Sequence, residues 1–262
     1  MSILFLNQSA IHYESLGRGR PVLFLHTWVG SWQYWLPAMQ LAAASCSAYA
    51  VDLYGFGESA HDEHGYSLEQ QALLVQGFLD EMGIGRIALV GHGLGALVGL
   101  AFAADRPSSI GRLLAVALPL DPASIAERLR TTSVDELRTL LRGRLPATDA
   151  LLPAASAVDG RAVNVDFDAG RIKAGLGSLA QAEVPCVLVY GANDPLLSPP
   201  SIEATTALGS TIHQVILQES GHFPMTETPE AFNRLLIDFL ALEPGADPHL
   251  LQPREEWRRR IR

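Results

Sequence analysis

Short continuous apolar runs rich in Val, Ile and Leu alternate along the chain with longer segments whose apolar residues recur every third or fourth position. The first pattern predicts buried strands, the second amphipathic helices. At the start, "ILFL" and "IHYESLG" precede the turn "GRGR" and the run "PVLFLHT", predicting two antiparallel edge strands that lead into a first inner strand. A regular alternation follows: helix "SWQYWLPAMQLAAAS", strand "CSAYAVDL", helix "SLEQQALLVQGFLDEMG", strand "RIALVG", helix "LGALVGLAFAAD" and strand "IGRLLAVAL". Ser67, with Gln70 three residues on, predicts a capped helix start, and Pro107 stops the glycine-rich helix before it. Strands that are apolar throughout and separated by helices imply an α/β fold, a mainly parallel central sheet covered by helices on both faces.

The rhythm breaks between residues 121 and 182. "PASIAERLR" and "SVDELRTLLRG" have helical spacing, followed by a weakly patterned stretch with Pro146, Pro153 and Gly160, which predicts a small helical lid inserted into the core. The sheet resumes at "PCVLVYG", and a helix, the strand "IHQVILQ" and the helix "PEAFNRLLIDFLAL" complete it. Residues 1–120 and 183–242 are thus expected to form the core, 121–182 the lid and 243–262 a solvated C-terminal tail containing Trp257.

Composition narrows the function classes. The 262 residues are 48% hydrophobic and 18% charged, those of a chain that folds around a large interior. A formal charge of -9 excludes a basic nucleic-acid-binding body, so no nucleic-acid partner is expected. Cys46 and Cys186 each lie in a strand-like run and are expected to be buried free thiols, as in a reducing, cytoplasmic setting. The N-terminal segment lacks a positively charged leader, and no apolar stretch reaches the ~18 residues of a membrane span. No Walker sequence is present and no G-x-G-x-x-G follows the first strand, so no nucleotide cofactor is expected. His61 and His64, with Asp62 and Glu63, lie in a polar loop that is expected to be solvated, and no metal is expected.

Four segments carry candidate chemistry. The first is "FLHTWVGSW", with His26, Thr27 and Trp28; the second is "VDLYGFGES", where Asp52 and three glycine or serine neighbours predict a shaped turn. The third is Gly91-His92-Gly93-Leu94-Gly95 between strand and helix. The fourth is a pair, Asp194 in "LVYGANDPL" and His222 in "ESGHFP", each following a strand. From about residue 10 to residue 242 the chain resembles the α/β-hydrolase superfamily, its esterase and epoxide-hydrolase-like branch. That resemblance implies an acid at Asp194, with Asp121 in reserve, and a histidine at His222, in the chain order nucleophile, acid, histidine. It implies backbone oxyanion donors at Trp28 and Leu94, although Thr27 departs from the glycine usual after the family's histidine. It also implies a nucleophilic serine at the centre of G-x-S-x-G, where this chain has Gly93. His92 is expected to pack beside that turn. Trp28, Trp32 and Trp35 recur at helical spacing, which suits either core packing or, with Phe223, an apolar substrate pocket.

A carboxylate that fixes one imidazole nitrogen leaves the other as a general base. Glycine at position 93 keeps the turn accessible and is expected to open roughly one water's volume, about 30 Å³. Three readings follow: His-Asp base catalysis with water on a small apolar ester, lactone or carbonyl compound; a non-catalytic ligand-binding member; or an engineered serine-to-glycine esterase. From the sequence, serine at position 93 is expected to create or raise hydrolysis of short activated esters.

Overall fold

The computed structural model describes residues 2–120, 133, 135–136, 139, 158–163, 169–243 and 247–251. Strands β1 (Ser2–Leu6) and β2 (Ser9–Gly17) pair antiparallel through a two-residue turn. Asn7 and Gln8 both have positive φ there, 48° and 73°, the conformation whose twist matches that of a hairpin. β2 then pairs antiparallel with β4 (Cys46–Val51), and every later pairing is parallel. With β3 (Arg20–Leu25), β5 (Ile87–His92), β6 (Ile110–Val116), β7 (Cys186–Gly191) and β8 (Ile212–Leu217), the eight-stranded sheet has the order 1-2-4-3-5-6-7-8. All six residues of β7 are buried, as a strand covered on both faces requires.

The predicted helix over residues 31–45 divides. Trp32–Trp35 forms a 3-10 turn capped by Ser31, and α1 begins at Leu36 and runs to Ala42. Pro37 explains the break: without an N-H it suits the first turn of a helix and not its interior. α2 (Leu68–Glu81) starts as its sequence predicts, the Ser67 hydroxyl accepting from Gln70 N at 3.2 Å. α3 (Leu94–Asp105) is buried from Leu94 through Ala103 and shows no polar face, so neighbours enclose it all round.

After α4 (Gly160–Val163), α5 (Ala169–Gln181) packs along α3. A Cβ on Gly175 would come within 2.1 Å of the Leu100 carbonyl oxygen, so the two helices touch backbone to backbone there. The C-terminal part of the 121–182 segment is therefore joined to the core through Ile172, Leu176 and Leu179. The lid helices predicted at 122–130 and over most of 133–143, Asp121, and the tail beyond Leu251 lie outside the described residues. α6 (Ile202–Thr206), α7 (Pro224–Glu227) and α8 (Pro229–Ala241) complete the chain's helices among the described residues, α8 packing with α1. Cys46 and Cys186 are both buried and unbridged. None of the described helices is long and apolar enough to cross a membrane.

Candidate active site

The loops after β3, β5, β7 and β8 leave the C-terminal ends of parallel strands, where open α/β sheets bind ligands. β5 passes into α3 through Gly93 at φ 50°, ψ -108°, a conformation that side chains rarely adopt. The flanking glycines are required by contact. A Cβ on Gly91 would stand 2.7 Å from the backbone of Ala96, and one on Gly95 would stand 2.4 Å from the Leu25 carbonyl oxygen. Gly95 N donates to His26 O at 3.0 Å and Gly93 N to Val116 O at 2.9 Å, tying the turn to the loop after β3 and to the next strand. Leu94 N-H, in the first turn of α3, has no intrahelical acceptor and remains able to meet an oxygen.

The space beside Gly93 is filled. A Cβ at position 93 would lie 2.3 Å from Thr27 Oγ1 and 2.8 Å from Trp28 Cζ3. The room for a water expected from the sequence is therefore taken by these two side chains. Thr27 is held from both sides of its backbone: its N-H donates to Tyr34 Oη at 2.9 Å, and its carbonyl accepts from His26 Nδ1 at 2.9 Å. Its hydroxyl is buried and has no hydrogen-bond partner.

Behind the turn, Tyr34 Oη accepts from Thr27 and so directs its own proton to His92 Nδ1, 3.1 Å away. A neutral His92 then carries its proton on Nε2. Burial, and secondarily the neighbouring His222, hold His92 well below the usual imidazole range. Burial also lowers His26, against the raising effect of Asp52. Both rings are neutral structural parts at working pH.

Asp194 and His222 meet across two adjacent turns. His222 Nδ1 donates to Asp194 Oδ2 at 2.7 Å, and both side chains are only 2% exposed. The other carboxylate oxygen of Asp194 accepts from Leu196 N at 2.8 Å and Leu197 N at 3.2 Å, which fixes the acid independently of the histidine. A Cβ on Gly191 would fall 2.0 Å from the Gly221 carbonyl oxygen, so the glycine at the end of β7 lets the acid's turn lie directly on the histidine's turn. With its Nδ1 proton committed to Asp194, the ring presents Nε2 as its basic nitrogen.

Glu227, which the sequence reading did not single out, clamps this second turn. Its carboxylate accepts from Gly221 N, from Phe223 N at 3.3 Å and from Ser220 Oγ at 3.4 Å, the residues on either side of His222. The available signal was an acid in the short proline-started helix just after the histidine; nothing local showed that it folds back.

The aromatic residues separate by position. Trp28 lies over Gly93, and Phe223 stacks edge-on against Tyr34, His92 and His222 with ring centroids 4.9–5.5 Å apart. Trp35 has no exposed surface and packs on Phe24, Tyr34 and Phe232, a core position. Trp32 stacks on His12 on the far side of its turn, where Asp52 accepts from Trp32 N at 2.8 Å, Glu58 N at 3.1 Å and His12 Nδ1 at 2.9 Å. Asp52 thus ties three segments together. Burial would lower His12, but the carboxylates of Asp52, Glu58 and Glu14 outweigh it and raise it. His61 and His64 are exposed. Among the described residues no cluster of three or more His, Cys, Asp or Glu could hold a metal ion.

Comparison with known proteins agrees with this architecture. The chain is 30% identical over 247 residues to a candidate carbamate hydrolase, RutD, of Klebsiella pneumoniae (strain 342), a match covering 85% of this chain and 92% of that protein. It is 30% identical over 108 residues to a soluble epoxide hydrolase of Corynebacterium sp. (strain C12), covering 41% of this chain and only 38% of that protein. Among solved structures, the enol-lactonase from Burkholderia xenovorans LB400 superposes with a TM-score of 0.75 at 20% identity, covering 92% of this chain and 100% of that one, a likeness of fold. The model of the alpha/beta hydrolase family matches residues 22–235, and with the sheet order, the glycine turn and the acid-histidine pair already in place, the chain belongs to that family.

Proposed function

We propose that the protein acts on a small apolar ester, lactone or carbonyl compound through His222 as general base, oriented by Asp194, with no covalent intermediate on residue 93. The observation that carries this reading is the 2.7 Å bond between His222 Nδ1 and an Asp194 whose other oxygen is separately anchored. An acid held that firmly presents its histidine in one tautomer, which is what proton transfer requires. Residue 93 supplies no hydroxyl, so His222 draws its proton from water or from the substrate itself. Losing a nucleophile leaves ~10³- to 10⁴-fold of catalysis over water from binding and oxyanion stabilisation in enzymes of this type. Efficient turnover therefore belongs to a substrate whose reaction never used the serine. The named relatives suggest where to screen: carbamates, enol lactones and epoxides.

The test is a substrate screen with wild type, His222→Ala and Asp194→Asn side by side. Activity found in wild type should fall by ~10²-fold or more in His222→Ala. Asp194→Asn should lose much of it too, because an amide misorients the ring or favours the wrong tautomer. A turnover indifferent to both substitutions removes the reading.

A second reading, a ligand-binding protein without catalysis, is favoured by the filled space at position 93. Thr27 and Trp28 pack into it as residues do around a settled glycine, an arrangement that also favours both readings over a simple exchange of serine for glycine in a working esterase. It predicts a ligand recovered unchanged and bound equally well by all three proteins.

A further inference from the structure

The two edges of the sheet differ in how they are covered. Against β8 packs the 3-10 turn Pro248–Leu250, and His213 Nε2 donates to Leu251 O at 3.0 Å. Among the described residues β1 pairs with β2 alone. Natural proteins blunt an open edge with a charge, a proline or a bulge. Ser2–Leu6 has none of these, and Ile3 and Phe5 are 53% and 69% exposed. The two-residue turn makes Leu6 and Ser9 a hydrogen-bonded pair, and such pairs alternate along an antiparallel ladder. Leu4 and Ser2 therefore bond to β2, and Ile3 and Phe5 turn their peptide groups outward. The residues opposite those two obey the same alternation: His12 O accepts from Asp52 N at 3.0 Å and Ala10 O from Ala60 N at 2.8 Å, both away from β1. Ile3 and Phe5 thus leave backbone groups and apolar side chains unpaired at the same place.

We propose that β1 is a homodimer contact, pairing antiparallel with β1 of a second copy about a two-fold axis through Leu4. In that register the free groups meet: Ile3 of each copy stands opposite Phe5 of the other as a hydrogen-bonded pair, and Leu4 faces Leu4 as a non-hydrogen-bonded one. The exposed side chains cover each other as an aromatic and a β-branched cross-strand pair, a favourable combination. A shift by one residue would set outward groups against inward ones, and a shift by two would leave Ile3 or Phe5 without a partner inside the strand. The strand is thus complementary to itself, as an isologous contact requires. It is also uncharged, so two chains of formal charge -9 meet there without opposing like charges. Leu73 on α2, 48% exposed and sharing a groove with Phe5, widens the apolar patch. A five-residue strand with these side chains still falls short of the ~800 Å² per partner of a standard interface, so the dimer is weak and reversible, with a Kd on the order of 10–100 μM. β2 and β4 separate β1 from the strands whose loops carry Gly93, Asp194 and His222, and the contact does not depend on the chemistry assigned there.

Sedimentation velocity of the full chain from ~5 to ~500 μM should show a reversible shift from monomer to dimer. Phe5→Lys puts a charge on the edge and should remain monomeric throughout. Because Phe5 is exposed, that variant should melt with wild type, which separates lost pairing from lost folding. Leu4→Cys tests the register, since side chains facing each other across a non-hydrogen-bonded pair have Cβ atoms ~4.5–5.5 Å apart, near the reach of a disulfide. With copper-phenanthroline in air it should be recovered as a covalent dimer, Cys46 and Cys186 being buried. Ile3→Cys, whose copies lie two positions out of register, should cross-link far less. A monomer at every concentration overturns the proposal and leaves the edge to a strand of another protein. A dimer that Phe5→Lys retains overturns it too, by placing the contact on another face. A dimer lost in Phe5→Lys, in which Leu4→Cys cross-links no better than Ile3→Cys, refutes the two-fold pairing about Leu4.

Discussion

Serine at position 93 should destabilise the protein without producing an efficient esterase, contrary to what the sequence pattern alone leads one to expect. The new Cβ would stand 2.3 Å from Thr27 Oγ1, 2.8 Å from Trp28 Cζ3 and 3.2 Å from Thr27 Cβ, on a backbone at φ 50°. Neither neighbour can yield easily: Thr27 is tethered by Tyr34 and His26, and the Trp28 ring is 2% exposed. The backbone conformation costs a side chain about 1–3 kcal/mol. Overpacking adds about 1–3 kcal/mol, so the total is roughly 2–6 kcal/mol. For a domain of this size that is a fall in Tm of ~4–24 °C. Thr27→Gly removes both Thr27 contacts, so Thr27→Gly/Gly93→Ser should recover part of the loss, a coupling of about 0.5–3 kcal/mol in a double-mutant cycle. p-Nitrophenyl acetate hydrolysis should rise in the double variant and stay near background in Gly93→Ser. Thermal melts of the four proteins and the same esterase assay decide the matter. If Gly93→Ser melts with wild type, or gains full activity with Thr27 intact, the claim that Thr27 and Trp28 occupy the nucleophile's space is wrong.

Two further expectations concern the surroundings of the site. Glu227→Ala should reduce any His222-dependent turnover ~10-fold or more by releasing the turn that carries the histidine, and Glu227→Gln, which keeps an accepting oxygen, should recover part of it; equal loss in both variants would point to the carboxylate's charge instead. Because His26 and His92 are held below their unfolded value near 6.5, the unfolded chain binds more protons as pH falls beneath that value. Stability should then drop toward their folded pKa values, by up to about 1.4 kcal/mol per pH unit for each ring. Melts between pH 7 and pH 5 should show a shallower decline in His92→Asn than in wild type, and parallel curves would count against a buried neutral His92.

Much of the architecture was legible along the chain because its signals are local. Apolar runs marked the strands, helical spacing and Ser67 marked α2, and Gly91 and Gly95 announced a tight turn, since periodicity, capping and glycine's freedom act within a few residues. Asp194 and His222 could be named from their places after strands, but their 2.7 Å contact depends on β7 and β8 lying side by side and on Gly191 admitting the neighbouring turn. Glu227 could not be read from its own neighbours, because its importance lies in the turn to which it returns. The fate of position 93 was likewise a tertiary matter. The sequence by itself determined that the turn has no hydroxyl of its own; only the packing of the β3 loop against the start of α3 decided that the space is not open, because Thr27 and Trp28, more than sixty residues earlier, are close enough to fill it.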